Sequence, residues 1–80
     1  MEAKTGRDSY VVGLKQVRRA LRDGIAGKVL LAEDADPMIL EPLLRDCARA
    51  GVRTERIRSM RELGRLCGIN VGAAAAAKVR

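Results

Sequence analysis

Histidine, tryptophan and phenylalanine are absent from this 80-residue chain, and Tyr10 is its one aromatic side chain. With no His, and with Cys47 and Cys67 outside any CxxC spacing, the usual ligand set of a zinc site is missing. The chain also lacks an activated nucleophile and paired acids suited to a pocket, so neither an enzyme nor a cofactor is expected. One tyrosine cannot build the stacking platform on which single-strand binders and RNA-recognition sheets splay bases. No apolar run approaches the roughly 20 residues of a membrane span. Met1 to Gly6 is too short and polar for a secretory signal, and the expectation is a cytoplasmic protein with no membrane contact. Cys47 and Cys67 fall on helical apolar stripes, which suits reduced core thiols.

Positive charge is what the chain has in quantity. Sixteen Lys and Arg against ten Asp and Glu leave +6, with a pI near 10.2. Such a field attracts a polyanion at long range but does not choose between RNA, DNA and a membrane surface. Apolar residues make up 48% of the chain at regular spacing, enough for folding. Eighty residues allow one small domain, burying about 60% of the surface of the open chain. Residues 1–8 carry charges and Gly6 without an apolar period and are expected to form a flexible leader, leaving 9–80 as a single domain.

Leu14, Val17 and Leu21 recur at helical spacing and Gly24 supplies a left-handed stop, which predicts a helix over Leu14 to Asp23. The unbroken run Val29-Leu30-Leu31-Ala32 has the pattern of a strand covered on both faces, here the central one. Asp36-Pro37 reads as an N-cap followed by proline at the first helical position. Pro42 would clash with the preceding turn, so a short turn and then a helix proper from about Pro42 are expected, ending at Gly51. Val52 to Ile57, with three charges in six residues, suits a guarded edge strand. Ser59-x-x-Glu62 is a capping box opening a third helix that carries Met60, Leu63 and Cys67 on one stripe and stops at Gly68. Ala73 to Ala77 has high helix propensity. An alternation of helix and strand nevertheless needs a partner beside Val29 to Ala32, so the alanines are assigned to a strand.

Two segments stand out chemically. Gly13-Leu14-Lys15-Gln16 opens a basic helix, where free N–H groups and a partial positive charge receive phosphate. Lys15, Arg19 and Arg22 share one face able to follow a phosphate chain, and Lys15 and Gln16 can reach base edges. The ordinary alternative is a solvated helix face. Ile69-Asn70-Val71-Gly72 is an apolar loop that packs closely against a sugar or base, or is simply a tight turn. Glu33, at the carboxyl end of the central strand, sits where open α/β sheets place ligands and could accept from base amino groups. Asp36 is better explained as a cap. With no stacking platform, and no second helix following the first as DNA-reading motifs require, recognition of a preformed RNA shape remains.

At these residues the chain resembles a known family. Gly13-Leu14-Lys15-Gln16-x-x-Arg19-Ala20, Leu31-Ala32-Glu33-Asp34-Ala35-Asp36-Pro37, Ser59-Met60-x-Glu62-Leu63-Gly64 and Gly68-Ile69-x-Val71-Gly72-Ala73-Ala74 are similar, in this order, to the ribosomal-protein family that binds kink-turn RNA. The stand-alone bacterial members are the nearest in pattern, over about residues 9–79. The resemblance implies a three-layer α/β/α sandwich with a small mixed sheet, gripping a bent RNA whose tandem sheared G·A pairs follow a bulge. It implies that Gly13, Lys15, Gln16 and Arg19 contact the G·A step and backbone, and that Glu33 orients the base-contacting side chains. Ile69, Asn70, Val71 and Gly72 would cover the bulged nucleotides. The expected partner is structured RNA, ribosomal RNA included, bound by a monomer that takes no small-molecule substrate. Lys15-Gln16 replaces the Asn-Glu usual in archaeal and eukaryotic relatives.

Two other readings compete. One is a protein-interaction module of the same fold without RNA binding, against which Lys15, Gln16, Arg19 and the +6 charge argue. The other is a phospho-acceptor receiver domain, suggested by Val29 to Asp34 followed by Asp36-Pro37. That domain needs a further Asp at a later strand end, where this chain has Arg58-Ser59.

Overall fold

A computed structural model describes residues 10–80. The leader expected at 1–8 lies outside the described residues. Seven elements follow one another: β1 (Tyr10–Val12), α1 (Leu14–Arg22), β2 (Ala26–Ala32), α2 (Pro37–Ala50), β3 (Arg53–Ile57), α3 (Met60–Leu66) and β4 (Ala75–Val79). The strands form one mixed sheet in the order β1-β4-β2-β3. β2 runs parallel to β3, whereas β4 is antiparallel to both of its neighbours. A receiver domain requires a parallel sheet, so the direction of β4 removes that alternative.

Val29, Leu30, Leu31 and Ala32 are all buried, which requires cover on both faces because successive strand side chains point opposite ways. α1 and α2 pack on each other over one face, and α3 packs on β2, β3 and β4 over the other. This is the three-layer sandwich. Its most enclosed side chains are Leu30, Leu31, Leu43, Leu63, Val17, Val29 and Cys47. Both cysteines are free; burial, aided for Cys47 by Asp46, pushes each thiol's pKa up and keeps it protonated.

The alanine tail is a strand, and an interior one. Ala75, Ala76 and Ala77 are fully buried, paired to Val12 and Val11 on one side and to Leu31, Leu30 and Val29 on the other. Helix propensity separates ordinary residues by only about 0.7 kcal/mol each, and two flanking strands that satisfy the backbone on both sides outweigh it.

Two expectations are corrected. α2 is continuous from Pro37, with Pro42 inside it. An interior proline costs about 3 kcal/mol, but Leu40, Leu43 and Cys47 share one buried face across it. Burying three such side chains contributes about 1.5 to 3 kcal/mol each and outweighs the break. β1, unassigned in the sequence reading, is a three-residue edge strand paired to β4. β2 also starts three residues earlier than its apolar run, at Ala26.

Candidate nucleic-acid interface

The topology gathers one end of the molecule. β1, β2 and β3 finish there and β4 begins there, so the turns after Val12, Ala32 and Ile57 meet the segment leading into Ala75. The Gly13 N–H donates to the Ala75 carbonyl at 2.9 Å, tying the opening of α1 to the start of β4, three residues beyond the apolar loop. The Glu33 N–H donates to the Ile57 carbonyl at 2.8 Å, which holds Glu33 at the same end with its side chain exposed.

Gly13 is the N-cap of α1 at φ 104° and ψ 151°, a backbone region that is essentially glycine's alone. No side chain caps α1 and no acidic residue lies in its first turn. The other two helices differ. Asp36 accepts from the Met38 N–H at the start of α2, and Ser59 Oγ accepts from the Glu62 N–H at 3.1 Å in α3. α1 therefore presents an open set of N–H donors with its positive dipole end unneutralised. Lys15, Gln16, Arg19 and Arg22 are exposed and line a groove of about 580 Å³ along α1, with Asp23 at its far end.

The loop 69–72 doubles back along α3. A Cβ at Gly64 would overlap the Val71 carbonyl oxygen, and one at Gly72 would stand 3.2 Å from Met60 Cβ. The Ala73 N–H donates to the Met60 carbonyl at 3.0 Å. Ile69 is half-buried against the core and anchors the loop; Asn70 is exposed and Val71 is 69% exposed. The result is an exposed rib on α3, joined to the α1 opening at this end of the sheet through the Gly13–Ala75 hydrogen bond.

Sequence reasoning missed four contributors to this end. Asp34 Oδ1 accepts from the Met60 N–H at 2.8 Å and links the β2–α2 turn to α3 across 26 residues of chain. Arg58 and Arg61 are exposed at the β3–α3 turn, and Met38, 81% exposed, sits in the first turn of α2. Arginines directly after a strand end were the available signal for the first pair. Asp34 had none, because its partner is set by the fold. Among the described residues no group of three or more His, Cys, Asp or Glu gathers as a metal site, and no helix is long and apolar enough to cross a membrane.

Residues 1–80 match the family model of the ribosomal protein L7Ae/L30e/S12e/Gadd45 family. The chain belongs to this family. It is 47% identical over 70 residues to an RNA-binding protein of Geobacillus sp. (strain WCH70), covering 88% of this chain and 85% of that one. An RNA-binding protein of Caldanaerobacter subterraneus subsp. tengcongensis is 41% identical over 69 residues, with 86% and 84% covered. Among solved structures, a 15.5 kD RNA-binding protein of Giardia lamblia superposes with a TM-score of 0.77 at 29% identity, over 90% of this chain and 61% of that one. A Bacillus halodurans protein of unknown function shares the fold at a TM-score of 0.83 and 22% identity, over 90% and 72%.

Proposed function

We propose that the protein binds RNA and selects a kink-turn, a sharply bent element with tandem G·A pairs. The uncapped opening of α1, hydrogen-bonded through Gly13 to the chain leaving the apolar loop, carries the reading. Phosphate sits at the free N–H groups, Lys15 and Gln16 reach base edges at the G·A step, and Arg19 follows the backbone. Glu33 orients these side chains. Ile69, Asn70, Val71 and Gly72 pack against the bulged nucleotides, where a flat apolar surface needs no charge.

The relatives named as RNA-binding proteins support the polyanion being RNA. The lack of an aromatic platform supports a preformed shape over a flexible strand. The protein acts as a cytoplasmic monomer within a ribonucleoprotein, and ribosomal RNA is the first target to test. Gel shifts at fixed salt should show tighter binding to a kink-turn than to a straight duplex of equal length. Replacing Lys15 and Gln16 with Ala should abolish that preference. Equal affinity for the two RNAs in the wild type would sink the proposal.

A further inference from the structure

The opposite end of the sheet carries a second concentration of charge. Lys28 on β2 stands directly opposite Arg53 on β3 and Lys78 on β4, and Lys78 in turn stands opposite Tyr10 on β1. Residues paired across strands share a face with Cβ atoms about 5 Å apart. The register therefore lays three cations and the sole tyrosine in one row across all four strands. Like charges directly opposite one another destabilise a sheet. Arg53 beside Lys28 is such a pair, its charge opposing the Lys28 ammonium.

Arg80 joins the row. Its N–H donates to the Ile25 carbonyl at 2.9 Å, and its side chain lies over Gly27, where a Cβ would stand 3.5 Å from Arg80 Cγ. Gly27, Lys28, Arg53, Lys78 and Arg80 line one open groove of about 290 Å³. Glu55 answers one of these cations: its Oε1 accepts from Lys28 Nζ at 2.8 Å, and that bond and charge raise the Lys28 pKa. Arg53 and Arg80 have no carboxylate partner among the described residues and are exposed. The cations lie in line across an open surface rather than around an enclosed cavity, which fits successive phosphates better than one small anion. Arginine suits phosphate through its planar fork of donors, and the Tyr10 hydroxyl adds a neutral donor at the end of the row.

We propose that this end of the sheet is a second RNA-backbone site, so that one protein molecule bridges a bent RNA at the α1 opening and a separate duplex segment at the row Arg53, Lys28, Lys78 and Arg80. The choice of RNA as the polyanion rests on the function proposed above. Readout at this site is of phosphates alone and carries no sequence preference.

The test saturates the protein with kink-turn RNA and then titrates a labelled straight RNA duplex, reading complexes by gel mobility and by mass in sedimentation. The wild type should give a ternary complex of one protein and two RNAs. The Arg53→Gln/Arg80→Gln variant should bind the duplex several-fold more weakly, with its log–log salt slope reduced by about 1.4 to 1.8 for two lost phosphate contacts. Its kink-turn affinity should be unchanged. Its thermal stability at low salt should equal or exceed that of the wild type, because self-repulsion is relieved, whereas a structural role for the two arginines would lower it. Failure of the wild type to form the ternary complex, or its full retention in the variant, overturns the proposal. A wild type without kink-turn preference counts only against the first reading; direct duplex binding, and its fall in the variant, then judges this one.

Discussion

Gly64 shows how a single residue's effect is decided by packing rather than by propensity. A glycine inside a helix is less favourable than alanine by about 1 kcal/mol, so Gly64→Ala in isolation should stabilise α3. In the fold, the added methyl would occupy the position of the Val71 carbonyl oxygen, which belongs to backbone and cannot swing aside. Forcing the methyl in costs about 1 to 3 kcal/mol by the usual scale of overpacking, exceeding the gain. Gly64→Ala is therefore expected to lower the urea midpoint and, by lifting 69–72 off α3, to weaken RNA binding as well. A variant at least as stable as the wild type would mean that the loop is not seated on α3. Gly13 differs in kind: a Cβ there meets nothing within 4 Å, and its requirement is a positive φ. The two glycines hold the two halves of the proposed RNA surface, one by close approach and the other by backbone geometry.

Among the elements, α3 depends most on its connections, since seven residues make a marginal helix without tertiary support. Its opening is held by Ser59 Oγ and by the Asp34 carboxylate, and its first turn receives the Ala73 N–H at the Met60 carbonyl. Removing a cap typically costs about 0.5 to 2 kcal/mol. Asp34→Ala should lose stability in that range by urea denaturation with an unchanged slope, and should also weaken RNA binding because Met60 supports Gly72 and Ala73. A variant that denatures like the wild type would show that the carboxylate contributes nothing to α3. The Ser59 cap was legible in the chain because its partner is three residues away; the Asp34 cap was not, because its partner is 26 residues away. The same division holds elsewhere. Asp36, Gly24, Gly51 and Gly68 mark ends by local rules, and the expected helix and strand alternation located β4. Pro42 misled because a local penalty was weighed without the buried face of α2, and β1 escaped because three apolar residues carry no period. The chain names the residues of the candidate interface through family resemblance and charge. Their meeting at one end follows from the strand order β1-β4-β2-β3, which no local pattern encodes.

For the whole molecule, a net charge of +6 spread over both ends separates affinity from selectivity. Coulomb attraction to phosphate acts on any RNA and weakens as salt rises, each contact contributing about 0.7 to 0.9 to the log–log slope. On the function proposed above, shape selection would rest on the α1 opening and the loop, through hydrogen bonds and packing that salt screens less. Arg22, one turn beyond Arg19 on the same face, lies far from that junction along α1 and serves the first role. Arg22→Ala should lower affinity for kink-turn and duplex alike, reduce the salt slope by just under one, and leave the ratio of the two affinities intact. Changing Lys15 and Gln16 together should do the reverse to the ratio, collapsing it at every salt concentration. Titrations of both variants against both RNAs at several salt concentrations separate the two effects. If Arg22→Ala changes the ratio while the double change spares it, selection is set further along α1 than its opening, and the contact assignment is wrong.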